Sequence, residues 1–509
     1  AGNHTDLPQM DTYRLTPNWA DDNLFPVIKD PRGHANDRHA PGGWIVNTDP
    51  EGKKWELISA GYRNPYDIAF NEAGDLFIYD ADMEWDFGQP WYRPTRVSQA
   101  VSGGEDGWRT GSGKWHPSFE DNIPPIQNIG QGSPTNLIYL KDARFPEKYK
   151  NTLLAFDWSF GIVHAMRITP KGASYSSQHS EFLSGSPLPL TDGAIGPDGA
   201  LYFLTGGRRL ESDLYRVYYK DYKNIKPGAN VTTPKITAEH KLRTDLEKFH
   251  GKKDPKAVEA AWPYLNHADR YVRYAARVAV EHQPATTWAS KALAEKNPEA
   301  KIIALLALAR QRDASQRTAL IKGLVKLEFK KLSSSNQEAL LRTIEVALFR
   351  LGKVDAATKS AIIGYLDPKF PTNAPKINRY LSKILVFVDA PSAAKKTLAL
   401  IKSEKFDDVE NSPATASSDL ILRNPQYGLD IAGLLEKLPP AQQTFYAMVL
   451  SNAKSGWTPA LREEYFAWFA KAFSYQGGRS YIGFIDKARQ TALSNAPKEK
   501  FEYYNELSG

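Results

Sequence analysis

The spacing of the apolar residues changes near residue 222, and this change constrains the fold more than any other feature. Before it, short runs alternate apolar and polar residues, whereas after it apolar residues recur every three or four positions. Residues 1–222 also hold 23 of the 35 glycines, which mark turns between short strands. We therefore predict a multidomain β + α chain: a β segment (1–222), a linker (223–235) containing Thr-Thr-Pro (232–234), and an α segment (236–509).

Three strand–turn–strand copies occur in the β segment, over residues 67–79, 135–156 and 191–204, and they start about 55–70 residues apart. The third turn is Pro-Asp-Gly, in which Pro fixes φ and Gly supplies a positive φ. This spacing is typical of propeller blades with long loops. It gives about three and a half blades, whereas closed propellers have about four to eight. The sequence therefore predicts a partial β-propeller, completed by a fragment or partner chain that supplies the remaining blades.

The α segment carries helical periodicity throughout. Val258, Ala261, Trp262 and Leu265 fall at i, i+3, i+4 and i+7, and residues 302–309 repeat this spacing. Helix-length runs alternate with breaks and show no heptads. This pattern predicts a HEAT-like α-solenoid, with an irregular helical bundle as the alternative.

Composition excludes several classes of protein. The chain has no cysteine, which excludes disulfides, thiolate metal sites and the C-x-x-C-H motif, so we expect no haem in this chain. No apolar run approaches the length of a membrane span. The net charge of +7 is spread along the chain, which argues against a nucleic-acid partner. The chain also lacks P-loop, dinucleotide-binding and H-E-x-x-H motifs.

The run Gly-Tyr-Arg-Asn-Pro-Tyr-Asp-Ile-Ala-Phe (61–70) resembles the G-x-R-N-P-x-x-x-A-F signature of soluble quinoprotein sugar dehydrogenases. Other runs are similar to the sorbosone-dehydrogenase-like and membrane-bound-dehydrogenase-like proteins of bacteria: 40–44, 79–86, 90–96, 130–134, 187–192 and 196–207. The resemblance is most specific over residues 60–218. It implies a six-bladed propeller that oxidises sugars with pyrroloquinoline quinone (PQQ) and calcium. In this subgroup HEAT-like helices and a cytochrome c domain often follow the propeller, but the sequence contains no cytochrome.

The resemblance implies that Arg63 and Asn64 contact the quinone, and that Tyr66 stands at a third cofactor-side position, where the family has Gln. Arginine suits a cofactor with three carboxylates, because its planar fork makes bidentate, permanently charged contacts. The alternative is a structural turn in which Arg63 bonds carbonyls at the ring centre. Three family cations are replaced here, by Ser159, Pro189 and Thr191. The family's general-base His belongs to an earlier blade, so the catalytic residues stay unassigned.

An acidic run, Asp80, Asp82, Glu84 and Asp86, is the candidate metal site. On a strand, alternate residues share one face, and four carboxylates there require a neutralising cation. In the family the loop after this strand lies near the calcium, and oxygen ligands suit Ca²⁺. The alternative is an acid–arginine network that braces the loop. Its cations would be Arg93 and Arg96.

Further candidates for the funnel or the substrate side are a set of His, Trp and Asp residues in polar loops and at strand exits. Loops on a rigid scaffold commonly carry function, and indole rings stack on sugars. These candidates are His4, His34, Trp85, Asp157, Trp158 and Asp192, together with Arg93 and Arg96.

The sequence thus predicts a secreted quinoprotein-dehydrogenase-like oxidoreductase of the periplasm or the extracellular space, acting on a sugar or polyol-type alcohol once its blades are complete. A cytochrome or other electron acceptor is the expected partner, docking on the solenoid. The alternative is a non-catalytic binding or structural subunit of a larger assembly. Fold alone does not decide between the two.

Overall fold

The computed structural model describes residues 1–229, 231–232, 235–403 and 437–509, and these comprise a strand-rich part followed by a helical part. The strands are β1 (Thr12–Tyr13), β2 (Gly43–Thr48), β3 (Trp55–Tyr62), β4 (Pro65–Phe70), β5 (Leu76–Asp80), β6 (Thr95–Gln99), β7 (Gly104–Glu105), β8 (Gln127–Gly130), β9 (Pro134–Tyr139), β10 (Thr152–Asp157), β11 (Ile162–Lys171), β12 (Ser174–Ser184), β13 (Leu190–Ile195), β14 (Leu201–Thr205) and β15 (Leu214–Val217).

The strands form four sheets that follow one another along the chain. In sheet I, β2 is antiparallel to β3, while β1 and β7 run parallel to β3. Sheet II has the order β4-β5-β6-β8, sheet III the order β9-β10-β11-β12, and sheet IV the order β13-β14-β15. These last three are antiparallel throughout. Sheets III and IV are meanders of consecutive strands, whereas in sheet II the chain passes through β7 of sheet I between β6 and β8.

Neighbouring sheets pack face to face through alternate apolar residues of their strands. The ring of Phe77 in sheet II lies 5.3 Å from that of Tyr175 in sheet III, and the ring of Phe156 in sheet III lies 6.4 Å from that of Phe203 in sheet IV. Ile45 of sheet I packs on the other face of sheet II. Burial of such side chains contributes about 1.5–3 kcal/mol each.

A polar ladder joins the first strands of sheets II, III and IV. Asp67 of β4 accepts a hydrogen bond from the backbone N–H of Leu137 in β9 at 3.0 Å. Asn136 of β9 in turn donates to Asp192 and to the carbonyl of Gly193 in β13. Equivalent positions of the repeat therefore place β4, β9 and β13 side by side.

Fourteen α-helices lie in the described part of the α segment. They are α1 (Ala238–Glu247), α2 (Ala257–Ala261), α3 (Arg270–Glu281), α4 (Ala289–Ala294), α5 (Pro298–Arg310), α6 (Arg317–Leu324), α7 (Ser334–Arg350), α8 (Ala356–Leu366), α9 (Pro375–Phe387), α10 (Ala393–Ser403), α11 (Ala441–Leu450), α12 (Pro459–Ala472), α13 (Tyr481–Ser494) and α14 (Phe501–Leu507).

Most of these helices form two layers. Helices α1, α3, α5, α7, α9 and α11 neighbour one another in that order, and α2, α4, α6, α8 and α10 pack against them. Side-chain caps define several starts: Asn297 accepts from the first backbone N–H groups of α5, and Ser333 does so for α7. The helical core also takes in Leu24 and Trp91 from loops of the β segment.

Buried ion pairs join the β segment to the helices. Arg342 of α7 binds Asp121 with two hydrogen bonds of 2.9 Å, and Arg350 holds Asp22 in the same bidentate way. Arg310 of α5 lies 3.5 Å from Asp121. Both carboxylates are fully buried. Burial pushes the pKa of Asp121 up, but Arg342 and Arg310 more than offset it, so this pKa lies below its usual value.

The predicted order of a β segment followed by an α segment is confirmed, whereas the partial propeller and the HEAT-like solenoid stay predictions. Residues 230, 233 and 234 of the predicted linker and residues 404–436 of the predicted solenoid lie outside the described residues. Among the helices that the structure describes, none combines the length and the apolarity needed to cross a membrane.

Replacing Arg342 by Met should lower the free energy of unfolding by about 3–5 kcal/mol, because Asp121 stays buried without its bidentate partner. The matched control is Lys331→Met, which breaks an exposed pair with Glu328 and should cost less than about 1 kcal/mol. Urea unfolding measures both.

The same pair predicts the effect of acid. Because the native pKa of Asp121 is depressed, its stabilisation is complete above about pH 4, the unfolded pKa, and is lost as the pH falls below it. Wild type should therefore lose stability between about pH 4 and 2 more steeply than Arg342→Met. Equal slopes in this range would contradict the assignment.

Candidate functional site

Asp80, the last residue of β5, fixes the turn that carries the dehydrogenase-like motif. Its carboxylate accepts hydrogen bonds from the backbone N–H groups of Asn64, at 2.8 Å, and Arg63, at 3.1 Å. Arg96 donates to the same carboxylate from 3.2 Å. Asp80 is fully buried, so the turn between β3 and β4 is set by a charged acceptor inside the fold.

The four acidic residues do not share a strand face, and this prediction is wrong. The strand ends at Asp80, and Glu84–Asp86 form a 3-10 turn that sends the side chains in different directions. Asp82 accepts a hydrogen bond of 2.7 Å from the Tyr92 hydroxyl, and Asp86 accepts one of 2.6 Å from the Lys114 ammonium. Glu84 is exposed. Burial raises the pKa of both Asp82 and Asp86.

The acid–arginine alternative holds for Asp80, which pairs with Arg96. Arg93 donates to the carbonyl oxygens of Trp115 and Tyr92. In the part of the chain that the structure describes, no group of three or more His, Asp or Glu side chains is arranged to hold a metal ion. The calcium site stays a prediction that the described residues do not complete by themselves.

Three of the predicted loop residues meet at one surface. The ring of His34 lies 5.1 Å from that of His4 and 5.4 Å from that of Trp85, and the Arg32 guanidinium lies over the indole. Burial, then the charges of Arg63 and His4, lower the pKa of His34 to about 4. His34 is therefore neutral at pH 7, and its surroundings oppose protonation of the imidazole.

Buried polar atoms without a hydrogen-bond partner gather behind this surface. Such atoms are rare in native proteins and mark places where water or a ligand supplies the missing partner. Two cavities of about 10 Å³ each lie among them, and each has room for about one water. The unpartnered atoms are Asn3 Oδ1 and Nδ2, His34 Nε2, Arg63 Nε, Arg96 Nε and Asp106 Oδ2.

Asp157 repeats the role of Asp80 in the next sheet. It ends β10 and accepts the backbone N–H groups of Ser133 and Ser159 at 2.9 and 2.8 Å. Burial raises its pKa to about 7, against the opposing effect of these two N–H groups. The neighbouring Trp158 donates to the Gly206 carbonyl at 2.8 Å, and its ring lies 4.8 Å from the Arg208 guanidinium.

The described residues do not by themselves fit a tricarboxylate quinone. The adjacent cavities are water-sized, and the cations beside Arg63 pair with acids: Arg96 with Asp80, and Lys114 with Asp86. Tyr66 lines neither cavity and is 64% exposed. Arg63 itself lies against Met83, with one guanidinium nitrogen 3.8 Å from the sulfur.

Sequence reasoning missed several residues that shape the site. Asp30 accepts the backbone N–H of His34 at 3.2 Å, and Lys114 neutralises Asp86. Asn3 and Asp106 contribute unpartnered atoms, and burial raises the pKa of Asp106 to about 7. All lie in irregular loops without a motif, so no periodic signal marks them. Asp192 was predicted for the same site, but it lies on β13, hydrogen-bonded to Asn136.

Comparison with known proteins gives limited matches. No protein-family model matches the chain, and no curated protein sequence is significantly similar to it. An oxidoreductase (glucose dehydrogenase) from Thermus thermophilus matches 32% of this chain and 47% of its own, with 22% identity and a TM-score of 0.26.

Two further solved structures match in the same way. The PQQ-bound aldose sugar dehydrogenase from Streptomyces coelicolor has 16% identity and a TM-score of 0.26, over 35% of this chain and 52% of its own. Another glucose dehydrogenase has 20% identity and a TM-score of 0.28, over 38% of this chain and 58% of its own. The chain thus spans about half the length of the proteins it matches, and this likeness does not decide its activity.

Replacing Arg63 by Met should raise the pKa of His34 by roughly one unit, because a positive charge that opposes protonation is removed. Histidine ¹⁵N chemical shifts followed from pH 3 to 8 measure this. Arg32→Met is the control, since it removes the same charge from the Trp85 side and should shift the pKa less. A wild-type His34 that titrates near pH 6.5 would contradict the described environment.

Proposed function

We propose that the β segment is about half of a six-bladed-type propeller, and that further blades complete a funnel in which a sugar or polyol-type alcohol is oxidised. The observation that carries this proposal is the exposure of large apolar side chains on two sheet faces, one at β4 of sheet II and one on sheet IV. Soluble proteins rarely expose contiguous apolar patches unless a partner covers them. Blades in a propeller pack face to face, so the missing neighbour is most simply another blade.

The first open face belongs to β4. Tyr66, Ile68 and Phe70 alternate along this strand and are 64%, 45% and 60% exposed, while Ala69 between them is buried against sheet III. Sheet I supplies only β2 and β3 beside this face, together with the short β1 and β7. In the proposal, further strands complete the blade of sheet I and cover Tyr66, Ile68 and Phe70.

The second open face belongs to sheet IV. Leu204 of β14 and Leu214 of β15 are cross-strand partners and are 45% and 67% exposed. The opposite face of the same sheet buries Leu201 and Phe203 against sheet III. A blade that packs on Leu204 and Leu214 would continue the ring from this end.

The chemistry assigned to this chain is limited to binding. The neutral imidazole of His34 has an unpartnered Nε2, which can hydrogen-bond a substrate hydroxyl, and the base that removes the hydroxyl proton is assigned to the completed funnel. Trp85 and His4 beside His34 provide a stacking surface for a sugar ring. The described residues do not hold the quinone alone, so PQQ and calcium are assigned to the completed funnel. The helical layers would then face a cytochrome or other electron acceptor outside the membrane, in the periplasm or beyond.

A non-catalytic subunit of a larger assembly is the second candidate. It is favoured by the internal pairing of the charges around Arg63, which leaves only water-sized space. In that case the same open faces contact other subunits, and no quinone accompanies them.

Native mass spectrometry of the protein isolated from its source, with calcium and quinone analysis of the same sample, separates the two candidates. The dehydrogenase proposal predicts a bound β-rich fragment or chain, PQQ, and activity with an artificial electron acceptor on aldoses. A partner without quinone or activity would favour the assembly subunit. A chain without any partner would overturn the completion of the funnel.

The variant Ile68→Asp tests which surface is used. It places a charge on the open face of β4 and should reduce recovery of the bound fragment at least tenfold, since burying an unpaired carboxylate is costly. Ile482→Asp, on an equally exposed side chain of α13, is the matched control and should leave recovery unchanged. Equal recovery with both variants would contradict docking on β4.

A further inference from the structure

A cleft of about 270 Å³ opens between two loops at the start of the β segment. Residues 3–9 and 38–42 form most of its wall, and Tyr13, Pro17 and Trp19 complete it. The lining includes three prolines, whose fixed φ limits the motion of these loops. Ligand pockets commonly start at about 300 Å³, so the cleft approaches the size that a small ligand needs.

The side-chain amide of Asn3 is the main indication of a ligand. Asn3 is only 4% exposed, and neither its Oδ1 nor its Nδ2 has a hydrogen-bond partner among the described residues. Native proteins almost always supply partners to buried polar atoms, because an unmade hydrogen bond costs free energy. The Nε of Arg38, in the same lining, is a second buried donor without a partner.

Asn3 also lines the water-sized cavity beside His34, so the cleft and the His34 surface share this residue. His34 and Trp85 themselves are not part of the cleft lining. A ligand in the cleft would therefore reach the edge of the candidate surface without occupying it.

The charges of the lining favour a neutral ligand. Asp6 and Arg38 pair with each other at 3.0 Å, and Arg38 also binds Asp37. The guanidinium is thus already neutralised by two carboxylates, and neither an anion nor a cation finds an unpaired opposite charge there. Thr5 and Gln9 add uncharged hydrogen-bonding groups at the exposed rim.

The amide of Asn3 further limits the chemistry of the ligand. It offers an acceptor and two donors close together, so the ligand must both donate and accept. Two neighbouring hydroxyl groups meet this requirement, because each hydroxyl can take either role. The unpartnered N–H of Arg38 can donate to a further hydroxyl or to a ring oxygen.

Aromatic rings supply an apolar wall beside these polar atoms. Tyr13 and Trp19 are partly buried and pack against the cluster that contains Met10 and Leu15, which holds their rings in place. A flat ring of this kind suits the C–H face of a sugar, while the amide binds its hydroxyls.

We propose that this cleft binds a neutral sugar unit, with neighbouring hydroxyls on Asn3 and the ring against Trp19 and Tyr13. The site needs neither a quinone nor further blades, since loops of this chain form its wall. It is therefore expected whether the protein is a dehydrogenase or a binding subunit.

Saturation-transfer NMR titration of the full chain with three neutral glycosides tests the proposal. The probes are methyl α-D-glucopyranoside, methyl α-D-galactopyranoside and methyl α-D-mannopyranoside. We expect at least one of them to bind with a Kd of about 0.1–10 mM. The comparison compound is 2-methoxytetrahydropyran, which has the same ring without the hydroxyls and should bind at least tenfold more weakly.

Two variants place the binding in the cleft. Asn3→Ala should weaken the glycoside at least tenfold, because the hydrogen bonds to the amide are lost. Asn47→Ala, at an exposed position of β2 outside the lining, is its control and should leave the affinity unchanged.

Thr5→Trp tests the space without changing Asn3. It adds a large side chain at an exposed rim position and should abolish binding, whereas Thr48→Trp, on exposed β2, should not.

Absence of binding to wild type by all three glycosides at about 50 mM would overturn the proposal. Equal affinity for 2-methoxytetrahydropyran would overturn the assignment of a hydroxyl-bearing ligand. Binding that survives both Asn3→Ala and Thr5→Trp would place the sugar elsewhere and overturn this site. These outcomes concern binding alone, so they are distinct from a failure to find quinone or oxidation.

Discussion

The buried pairing of Asp22 and Asp121 with arginines of α5 and α7 is the interaction on which the arrangement of the two parts depends. A buried charge is tolerated only when its partner is held in good geometry, so these pairs fix where the long loops of the β segment lie on the helices. The same loops continue into the stretches that carry Asp30, His34 and Lys114. The helices thus act as the support against which the candidate surface is formed, and a cavity of about 140 Å³ lies at the same junction.

The surface around His34 combines a neutral imidazole, aromatic rings and unpartnered polar atoms, but it encloses only water-sized space. Asp80 and Asp157 explain this, since each uses its carboxylate to hold the turn that precedes the first strand of its sheet. The burial of these two carboxylates therefore serves the geometry of the repeat rather than the binding of a ligand. A substrate-sized site therefore requires walls beyond the described residues, and the exposed faces of β4 and β15 mark where such walls would attach.

Much of the fold could be predicted because it is periodic. Alternating residues indicated the strands around the three turns, and the 3.6-residue period indicated helices such as α3 and α5. The site was harder. The acidic run alternates as a strand does, yet the chain leaves the sheet after Asp80. The following 3-10 turn at Glu84–Asp86 buries Asp86 against Lys114. The buried arginines left one signal that was overlooked: Arg342 stands inside the apolar stripe of α7, where a solvated charge is out of place.

Hydroxyl-radical footprinting of the protein as isolated from its source, compared with the chain alone, tests the central claim most directly. Tyr66 and Phe70 are 64% and 60% exposed on β4, and Tyr503 and Phe501 of α14 are 45% and 43% exposed as internal references. If further blades cover β4, labelling of Tyr66 and Phe70 falls in the native preparation, while labelling of Tyr503 and Phe501 is unchanged. Labelling of Tyr66 and Phe70 that is equal in both preparations would contradict the completed propeller.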